Sequence, residues 1–239
     1  MSFRYTAAIF DMDGTLLDTL DDLADAVNAT LSAHGFPLRS REEIREFVGN
    51  GVEKLMERAL PDGKQTVAHN ADGQEVAFPT LLSDFKTRYA ACCRCKTRPY
   101  AGIPELLATL RAAGMPIAVV SNKFDAAVKE LAAAYFGELI PVAVGERDGV
   151  RKKPAPDTVF EALRLLGLPA EPPASGVPCP IYIGDSDVDI ATAEAAGLPC
   201  ISVLWGFRTR AFLTAHGATC FAEEPSEVAE ILLGKPAET

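Results

Sequence analysis

The sequence lacks the features that mark membrane and exported proteins. No apolar run in its 239 residues reaches the roughly 18 residues that a membrane-spanning helix needs. The opening stretch MSFRYTAAIF also lacks the long apolar region and the cleavage site of a signal peptide. We therefore expect a soluble protein of the cytoplasm.

The chain is also short of positive charge. Its 33 acidic and 23 basic residues give a formal net charge of −10. A chain with this balance is repelled by polyanions, so we expect neither nucleic acid nor a membrane surface as a partner. A small anionic metabolite in a local basic pocket is compatible with it. The composition gives no indication of the oligomeric state.

Cysteine is present, but in no pattern that predicts a metal site. The six cysteines form one cluster, CCRC, and three isolated positions: Cys92, Cys93 and Cys95, then Cys179, Cys200 and Cys220. The cluster lacks the paired spacing of a zinc site, and no histidine lies near it in the sequence. We therefore interpret the cysteines as reduced thiols of a cytoplasmic protein.

Short apolar runs alternate with helical patterns along most of the chain. Runs without polar alternation are typical of buried parallel strands, and they cover residues 6–10, 117–121, 142–144, 181–183 and 201–204. Helical patterns occur at residues 104–113, 124–134, 156–166 and 188–196. Hydrophobic residues make up 48% of the chain, enough for a large core. The sequence predicts an α/β fold with a Rossmann-like parallel sheet.

One segment interrupts this alternation. Residues 18–95 show helical patterns at 21–34, 42–48, 52–59 and 80–92, and no run typical of a buried strand. The segment is too long for a loop, and we interpret it as a helical domain inserted after the first strand. The main domain then comprises residues 1–17 and 96–239. The polar stretch 61–79 is expected to be an exposed connection in the inserted domain, and the proline-rich stretch 170–180 a loop.

Two carboxylates directly follow the first predicted strand, in DMDGT. Side chains alternate along a strand, so Asp11 and Asp13 can face the same way, and Gly14 lets the chain turn sharply after them. At about 4 Å and an effective dielectric constant near 20, their repulsion is on the order of 4 kcal/mol. A cation, a proton or both must offset this repulsion.

A second acidic group follows another predicted strand. IYIGDSDVDI places Asp185, Asp187 and Asp189 beyond residues 181–183. If the two strands are neighbours, the carboxylates converge at one edge of the sheet, and an oxygen-only cluster of this kind suits Mg²⁺. The alternative is that the acids cap helices, with Asp187 as an N-cap. A cap needs only one acid, so the grouping favours the metal site.

Two further features are suited to phosphate. Ser121 and Asn122 follow the apolar part of a strand, where a hydroxyl and backbone N–H groups can hold a phosphate oxygen. Lys153, in RKKPAPD, can act as a point charge on phosphate and on a carboxylate. Each has a plainer alternative, because Ser-Asn is common in turns and a basic run is often only solvated. Their positions after successive strands, together with the acids, favour phosphate binding.

These motifs resemble those of a known superfamily. DMDGTLLDT, VVSNK, KKPAPD and YIGDSDVDI occur in this order, and together they resemble the motifs of the haloacid dehalogenase superfamily of phosphohydrolases. The resemblance covers nearly the whole chain, and the inserted helical domain is similar to the cap domain of that superfamily. FVGNGVEKLMERAL and VLWGF are similar to segments of its phosphoglycolate phosphatases.

The resemblance implies distinct roles for the acids. Asp11 would be the nucleophile that forms an aspartyl phosphate, and Asp13 the general acid and base. Mg²⁺ would be held by Asp11, the backbone carbonyl of Asp13 and Asp185, with Asp189 supporting these ligands. Dehalogenating members lack the second aspartate, so Asp13 favours phosphate chemistry.

The resemblance also implies how the substrate is bound. Ser121, Asn122 and Lys153 would contact the phosphate oxygens, which makes Lys153 a catalytic residue as well. A loop of the cap, Gly49-Asn50-Gly51, would select the substrate, although its sequence is equally that of a plain turn between helices.

The sequence thus predicts a Mg²⁺-dependent phosphomonoester hydrolase for a small phosphorylated metabolite, with 2-phosphoglycolate as a candidate substrate. Two alternatives stay open. A sugar-phosphate mutase of the same superfamily would share the motifs. A non-catalytic protein could use the pocket to bind a phosphorylated ligand, although the intact acids and Lys153 argue against this.

Overall fold

The structure is a computed structural model that describes residues 5–61, 63, 66–171 and 177–234. These ranges contain ten strands: β1 (Tyr5–Phe10), β2 (Leu17–Asp18), β3 (Val67–His69), β4 (Glu75–Ala77), β5 (Arg98–Pro99), β6 (Ile117–Phe124), β7 (Val142–Glu146), β8 (Cys179–Gly184), β9 (Cys200–Val203) and β10 (Phe221–Ala222). They also contain ten α-helices: α1 (Leu20–Ala33), α2 (Arg41–Phe47), α3 (Val52–Ala59), α4 (Phe78–Cys92), α5 (Ile103–Ala112), α6 (Asp125–Phe136), α7 (Asp157–Leu165), α8 (Asp187–Ala196), α9 (Arg210–Ala215) and α10 (Pro225–Leu233). None of the helices in these ranges is long and apolar enough to cross a membrane.

Six of the described strands form one parallel sheet in the order β10-β9-β8-β1-β6-β7. β1 pairs with β8 on one side and with β6 on the other, so that Phe10 lies opposite Ile183 and Val119. The predicted α/β fold with a Rossmann-like parallel sheet is confirmed. Each predicted strand of the sheet is present. The sheet also contains β10, which the sequence does not predict because a strand of two residues has no recognisable pattern.

Both faces of the central strand are buried. In β1, Ala7 and Ile9 point to one face and Ala8 and Phe10 to the other, and all four are at most 1% exposed. The first face packs against α7 and α8 in a cluster of Ala7, Ile9, Ala118, Val120, Val142, Val144, Tyr182, Val159, Ala162, Leu163, Ala193 and Ala196. Burial on both faces explains why the strands appear in the sequence as apolar runs without alternation.

The chain divides into two compact units. One joins the described residues up to Leu17 with those from Pro99 onward and contains the six-stranded sheet, and the other is Asp18–Arg98. The sequence predicts an inserted domain of residues 18–95, whereas the second unit begins at Asp18 and ends at Arg98. β2 and β5 form a separate two-stranded sheet.

The second unit is mainly helical. α1 packs against α4, and both bury a stripe at helical spacing that consists of Leu23, Val27 and Leu31 on α1 and Leu81, Phe85 and Tyr89 on α4. The start of α2 carries a capping box in which Ser40 and Glu43 satisfy each other's backbone N–H groups. The carboxylate of the buried Asp22 accepts hydrogen bonds from the backbone N–H groups of Lys96 and Thr97, both at 2.9 Å. These bonds connect the end of this unit to α1.

Two loop predictions need correction. The stretch 61–79 is not only a connection, because β3 and β4 form an antiparallel pair with Val67 opposite Ala77, and α4 already begins at Phe78. Strands of three residues with little burial leave no periodic signal. The predicted loop 170–180 ends early, because β8 begins at Cys179. Residues 62, 64 and 65 of the first stretch and 172–176 of the second lie outside the described ranges.

The interpretation of all six cysteines as reduced thiols is wrong for two of them. Cys92 and Cys95 form a disulfide, with their Cα atoms 5.3 Å apart. Cys92 ends α4, and the chain turns at once, with the Cys95 N–H donating to the Cys92 carbonyl at 3.3 Å. This turn brings the two side chains together. The remaining cysteines form no disulfide within the described ranges.

Candidate active site

The carboxyl ends of β1, β6 and β8 meet at one edge of the sheet. Asp11 directly follows β1, and its N–H donates to the Ile183 carbonyl of β8 at 2.8 Å. Asp185 directly follows β8, while Ser121 and Asn122 lie near the end of β6. In open α/β sheets, ligands bind in the crevice beyond the carboxyl ends of such strands.

Lys153 joins two of the carboxylates. Its Nζ lies 2.8 Å from Asp11 Oδ1 and 2.7 Å from Asp189 Oδ1, and it donates to the Tyr182 hydroxyl at 3.1 Å. Only 2% of the lysine side chain is exposed, so these charges interact with little screening by water. The segment after β7 thus brings a cation to Asp11, the residue that the resemblance predicts to be the nucleophile.

Asp185 is fixed from two sides. Thr15 Oγ1 donates to its Oδ1 at 3.1 Å, and the Phe207 N–H donates to its Oδ2 at 2.7 Å. Two glycines permit this approach: a Cβ at Gly14 would lie 2.4 Å from Asp185 Oδ2, and one at Gly206 would lie 2.4 Å from Asp185 Cβ. The sequence motifs DMDGT and VLWGF contain Thr15, Gly206 and Phe207, but they assign these residues no role, because the contacts with Asp185 join distant parts of the chain.

Asp189 is fully buried and accepts hydrogen bonds on both oxygens. Ser186 donates its N–H at 3.1 Å and its hydroxyl at 2.6 Å to Oδ2, while Lys153 and Tyr182 donate to Oδ1. Ser186 is the N-cap residue of α8, so the alternative prediction of Asp187 as the N-cap is wrong, and Asp187 is the first helical residue. Because both of its oxygens are engaged, Asp189 suits a supporting role better than direct metal ligation.

Asp13 faces a second buried lysine. The Nζ of Lys123 lies 3.1 Å from Asp13 Oδ1, and the two side chains are 2% and 15% exposed. Sequence reasoning did not assign Lys123 a role, although it ends the quoted motif VVSNK. The contact depends on the neighbouring positions of β1 and β6, which the sequence alone does not give.

Ser121 and Asn122 lie where the motifs place them. Asn122 Nδ2 donates to the Lys153 carbonyl at 3.0 Å, and Ser121 Oγ accepts the Lys123 N–H at 3.2 Å. The Asn122 amide group therefore holds the backbone of Lys153 in place. Phosphate binding by Ser121 and Asn122 stays a prediction.

Burial and mutual repulsion shift the pKa values of the acids. Burial raises the pKa of Asp11 well above its usual range, and Asp189 adds to this effect while Lys153 opposes it. Burial, with Asp189, raises the pKa of Asp185 to about 7, against the hydrogen bonds from Phe207 and Thr15. Burial alone would lower the pKa of Lys153, but Asp11 and Asp189 outweigh it and raise that pKa. Burial is thus the largest cause of the raised pKa values of the two acids, and the neighbouring carboxylate of Asp189 adds to it.

The charge excess fits a divalent cation. Four carboxylates and two ammonium groups lie at this edge of the sheet, those of Asp11, Asp13, Asp185, Asp189, Lys123 and Lys153. Side-chain oxygens of Asp11, Asp185 and Asp189 lie within 4.8 Å of one another. All candidate ligands are oxygens, which is the ligand set that Mg²⁺ prefers. The residues present therefore fit a divalent metal ion.

The loop Gly49-Asn50-Gly51 lies in the helical unit, between α2 and α3. Gly49 and Gly51 have positive φ angles of 121° and 86°. Arg58 donates to Asn50 Oδ1 and to the Phe47 carbonyl, both at 2.8 Å, which fixes the shape of the loop. This geometry is compatible with a plain turn and with substrate selection, so the latter stays a prediction.

Comparison with known proteins agrees with this geometry. Residues 8–203 match the family model described as haloacid dehalogenase-like hydrolase. A phosphoglycolate phosphatase from Yersinia pseudotuberculosis is 34% identical over 210 residues, which cover 87% of this chain and 84% of the relative. An N-acetylmuramic acid 6-phosphate phosphatase from Pseudomonas aeruginosa is 33% identical over 231 residues, which cover 96% of this chain and 95% of the relative.

A solved structure is similar over nearly the whole chain. The crystal structure of a candidate phosphoglycolate phosphatase from Lactobacillus delbrueckii subsp. bulgaricus has a TM-score of 0.84 and 38% sequence identity to this chain. The match covers 97% of this chain and 99% of the other. The similarity therefore includes both the sheet and the helical insertion.

Proposed function

The chain belongs to the haloacid dehalogenase-like hydrolase family, and from this premise we propose that it hydrolyses phosphomonoesters through an aspartyl phosphate on Asp11. The family predicted from the four motifs is the family that matches. The observation that carries the proposal is the buried contact of 2.8 Å between Lys153 Nζ and Asp11 Oδ1, inside the acidic cluster. A carboxylate held in this way is oriented for attack, and the lysine beside it can also contact the phosphate.

Two steps account for hydrolysis. In the first, a carboxylate oxygen of Asp11 attacks phosphorus, the bond from phosphorus to the substrate's ester oxygen breaks, and Asp13 gives that oxygen a proton. In the second, Asp13 takes a proton from water, and the water oxygen attacks phosphorus, restores the Asp11 carboxylate and releases inorganic phosphate. Asp13 lies two residues from the nucleophile and is part-exposed, as both transfers require.

We propose Mg²⁺ as the divalent cation of this site. Asp11, the backbone carbonyl of Asp13 and Asp185 would hold it, with Asp185 fixed by Thr15 and Phe207. When bound, the cation reduces the repulsion between the acidic cluster and the phosphate and stabilises negative charge in the transition state.

Removal of divalent metal with EDTA is expected to lower phosphate release by about a hundredfold or more, because the cation is worth several kcal/mol of charge stabilisation. Added Mg²⁺ should restore the rate. Because binding to the folded state also relieves repulsion there, Mg²⁺ should raise the unfolding temperature of the metal-free protein, and Asp185→Asn should reduce that rise. Full activity in metal-stripped buffer would contradict the metal site. An unfolding temperature that does not change when millimolar Mg²⁺ is added would contradict it as well.

We further propose that the substrate is a small phosphomonoester that carries a carboxylate. The names of the two relatives denote such compounds, 2-phosphoglycolate and N-acetylmuramic acid 6-phosphate. The first is the candidate that the sequence favours. The second is supported by a match that covers 95% of that relative. The loop Gly49-Asn50-Gly51 is the proposed element that recognises the carboxylate.

A paired substrate panel tests this proposal. Phosphate release is measured for N-acetylmuramic acid 6-phosphate against N-acetylglucosamine 6-phosphate, which lacks the carboxylate, and for 2-phosphoglycolate against ethyl phosphate. The substrate without a carboxylate loses one charge-assisted contact. We therefore expect its kcat/KM to be about tenfold or more below that of its carboxylate partner in the preferred pair. Equal kcat/KM values within both pairs would show that the enzyme does not recognise the carboxylate of the substrate.

Product analysis in a single turnover, together with a measurement of ligand binding, separates the alternatives. A mutase would convert a sugar phosphate to an isomer in a single turnover and release little phosphate. A non-catalytic protein would bind a phosphorylated ligand tightly and release none.

A further inference from the structure

We propose that Lys123 is a positioning residue for Asp13 in proton transfer. Its ammonium lies 3.1 Å from Asp13 Oδ1 and is almost fully shielded from water, with 2% of the side chain exposed. This inference rests on the proposed function, because it concerns how the leaving group of that reaction obtains its proton. The motifs themselves assign Lys123 no role.

The end of β6 directs Lys123 inward. The register of β6 against β7 shifts between Val120 and Phe124, the stretch that contains Lys123. Irregularities of this kind redirect side chains near active sites. Gly145 on β7 lets the two backbones approach, since a Cβ there would lie 2.7 Å from the Lys123 carbonyl oxygen. The backbone itself therefore sets the position of the ammonium.

The contact distinguishes the two oxygens of Asp13. Oδ1 is buried and faces the ammonium of Lys123. The side chain as a whole is 15% exposed, so its accessible surface belongs to its other atoms. A carboxyl group with one oxygen held against a fixed cation presents its other oxygen in a defined direction. The geometry assigns proton exchange with the leaving group and with water to Oδ2.

The two buried lysines act on different partners. Lys153 contacts Asp11 and Asp189, so its loss disturbs the nucleophile and its support. The Lys123 ammonium contacts Asp13, so its loss should impair the transfer of the proton more than the attack on phosphorus. Substrates whose leaving groups differ in their need for a proton donor can distinguish a loss of proton transfer from a loss of nucleophilic attack.

The test uses three variants and two aryl esters. Lys123→Met removes the charge at similar length, Lys123→Arg keeps a charge, and Lys129→Met removes an exposed lysine that pairs with Asp125. Phenyl phosphate and p-nitrophenyl phosphate are similar in size, but phenolate is the more basic leaving group and depends more on a proton. Because kcat/KM covers only the steps up to the departure of that group, it excludes the second proton transfer, which occurs when water attacks the intermediate.

We expect Lys123→Met to lower kcat/KM for phenyl phosphate by about tenfold more than for p-nitrophenyl phosphate. Lys123→Arg should show the same preference with a smaller loss, and it carries the test if Lys123→Met does not fold. Lys129→Met should match the wild type. Equal losses on the two esters would assign Lys123 a merely structural role, and a faster reaction of phenyl phosphate in Lys123→Met would equally overturn the inference.

A double variant adds an independent check. If Lys123 acts through Asp13, then Asp13→Asn combined with Lys123→Met should hydrolyse phenyl phosphate no more slowly than Asp13→Asn alone. Losses that multiply would contradict the inference. A wild type that releases no phosphate from either ester would remove the proposed function and this inference together, whereas an active wild type with equal losses removes the inference alone.

Discussion

Asp11→Asn is expected to lower phosphate release by at least about 10⁴-fold, because an amide oxygen cannot replace the carboxylate as the nucleophile. The fold should survive. Asparagine has the same shape, and the exchange removes one of several mutually repelling carboxylates, while Lys153 keeps Asp189 as a partner at 2.7 Å. We therefore expect an unfolding temperature close to that of the wild type, measured by thermal denaturation.

The covalent intermediate provides the sharper measurement. Wild type quenched with acid during turnover of a radiolabelled phosphomonoester should retain label on the protein, and hydroxylamine should release it from an acyl phosphate. Asp11→Asn should retain none. The matched control is Asp187→Asn, which alters a nearby acid whose Oδ1 lies 3.9 Å from Arg208 Nε, outside the acidic cluster. If the Asp11→Asn protein retained label or turned over normally, Asp11 would not be the nucleophile.

The sequence was sufficient to predict the acidic edge of the sheet. Asp11, Asp185 and Asp189 each follow, within a few residues, a buried strand whose apolar run has no alternation, and parallel strands place such residues at one edge. The sequence predicts Gly14 to be a turn residue, and the close approach of Asp185 gives a further reason for a glycine at this position. Local patterns and fold class determine these features.

What the sequence did not reveal depends on tertiary neighbours. Thr15 and the Phe207 N–H fix Asp185 across 170 and 22 residues of chain, and no local pattern encodes either contact. Lys123 gains its partner only because β6 lies beside β1. The β3–β4 pair and the Cys92–Cys95 disulfide are short-range features, but they consist of too few residues to have a periodic signature.

Lys153→Met is expected to lower phosphate release by about 10³-fold and to destabilise the protein by roughly 3–5 kcal/mol. The ammonium contacts Asp11 and Asp189 in a site shielded from water, so its removal leaves two buried carboxylates without their cation. Thermal or denaturant unfolding measures the loss of stability, and phosphate release measures the loss of activity. Lys152→Met is the matched control, because this neighbour pairs with Glu146 at 3.3 Å and is about one-third exposed.

Mg²⁺ should separate the two losses in Lys153→Met. A cation bound among the carboxylates can replace the missing charge, so Mg²⁺ should raise the unfolding temperature of the variant more than that of the wild type. It cannot replace the lysine contact to the phosphate or orient the Asp11 carboxylate, so activity should stay low at saturating Mg²⁺. Recovery of both properties would reduce Lys153 to a charge-balancing residue, and recovery of neither would indicate a collapsed site. Recovery of stability alone is the result that this geometry requires, because stability depends on charge at the cluster whereas catalysis depends on an ammonium at one fixed position.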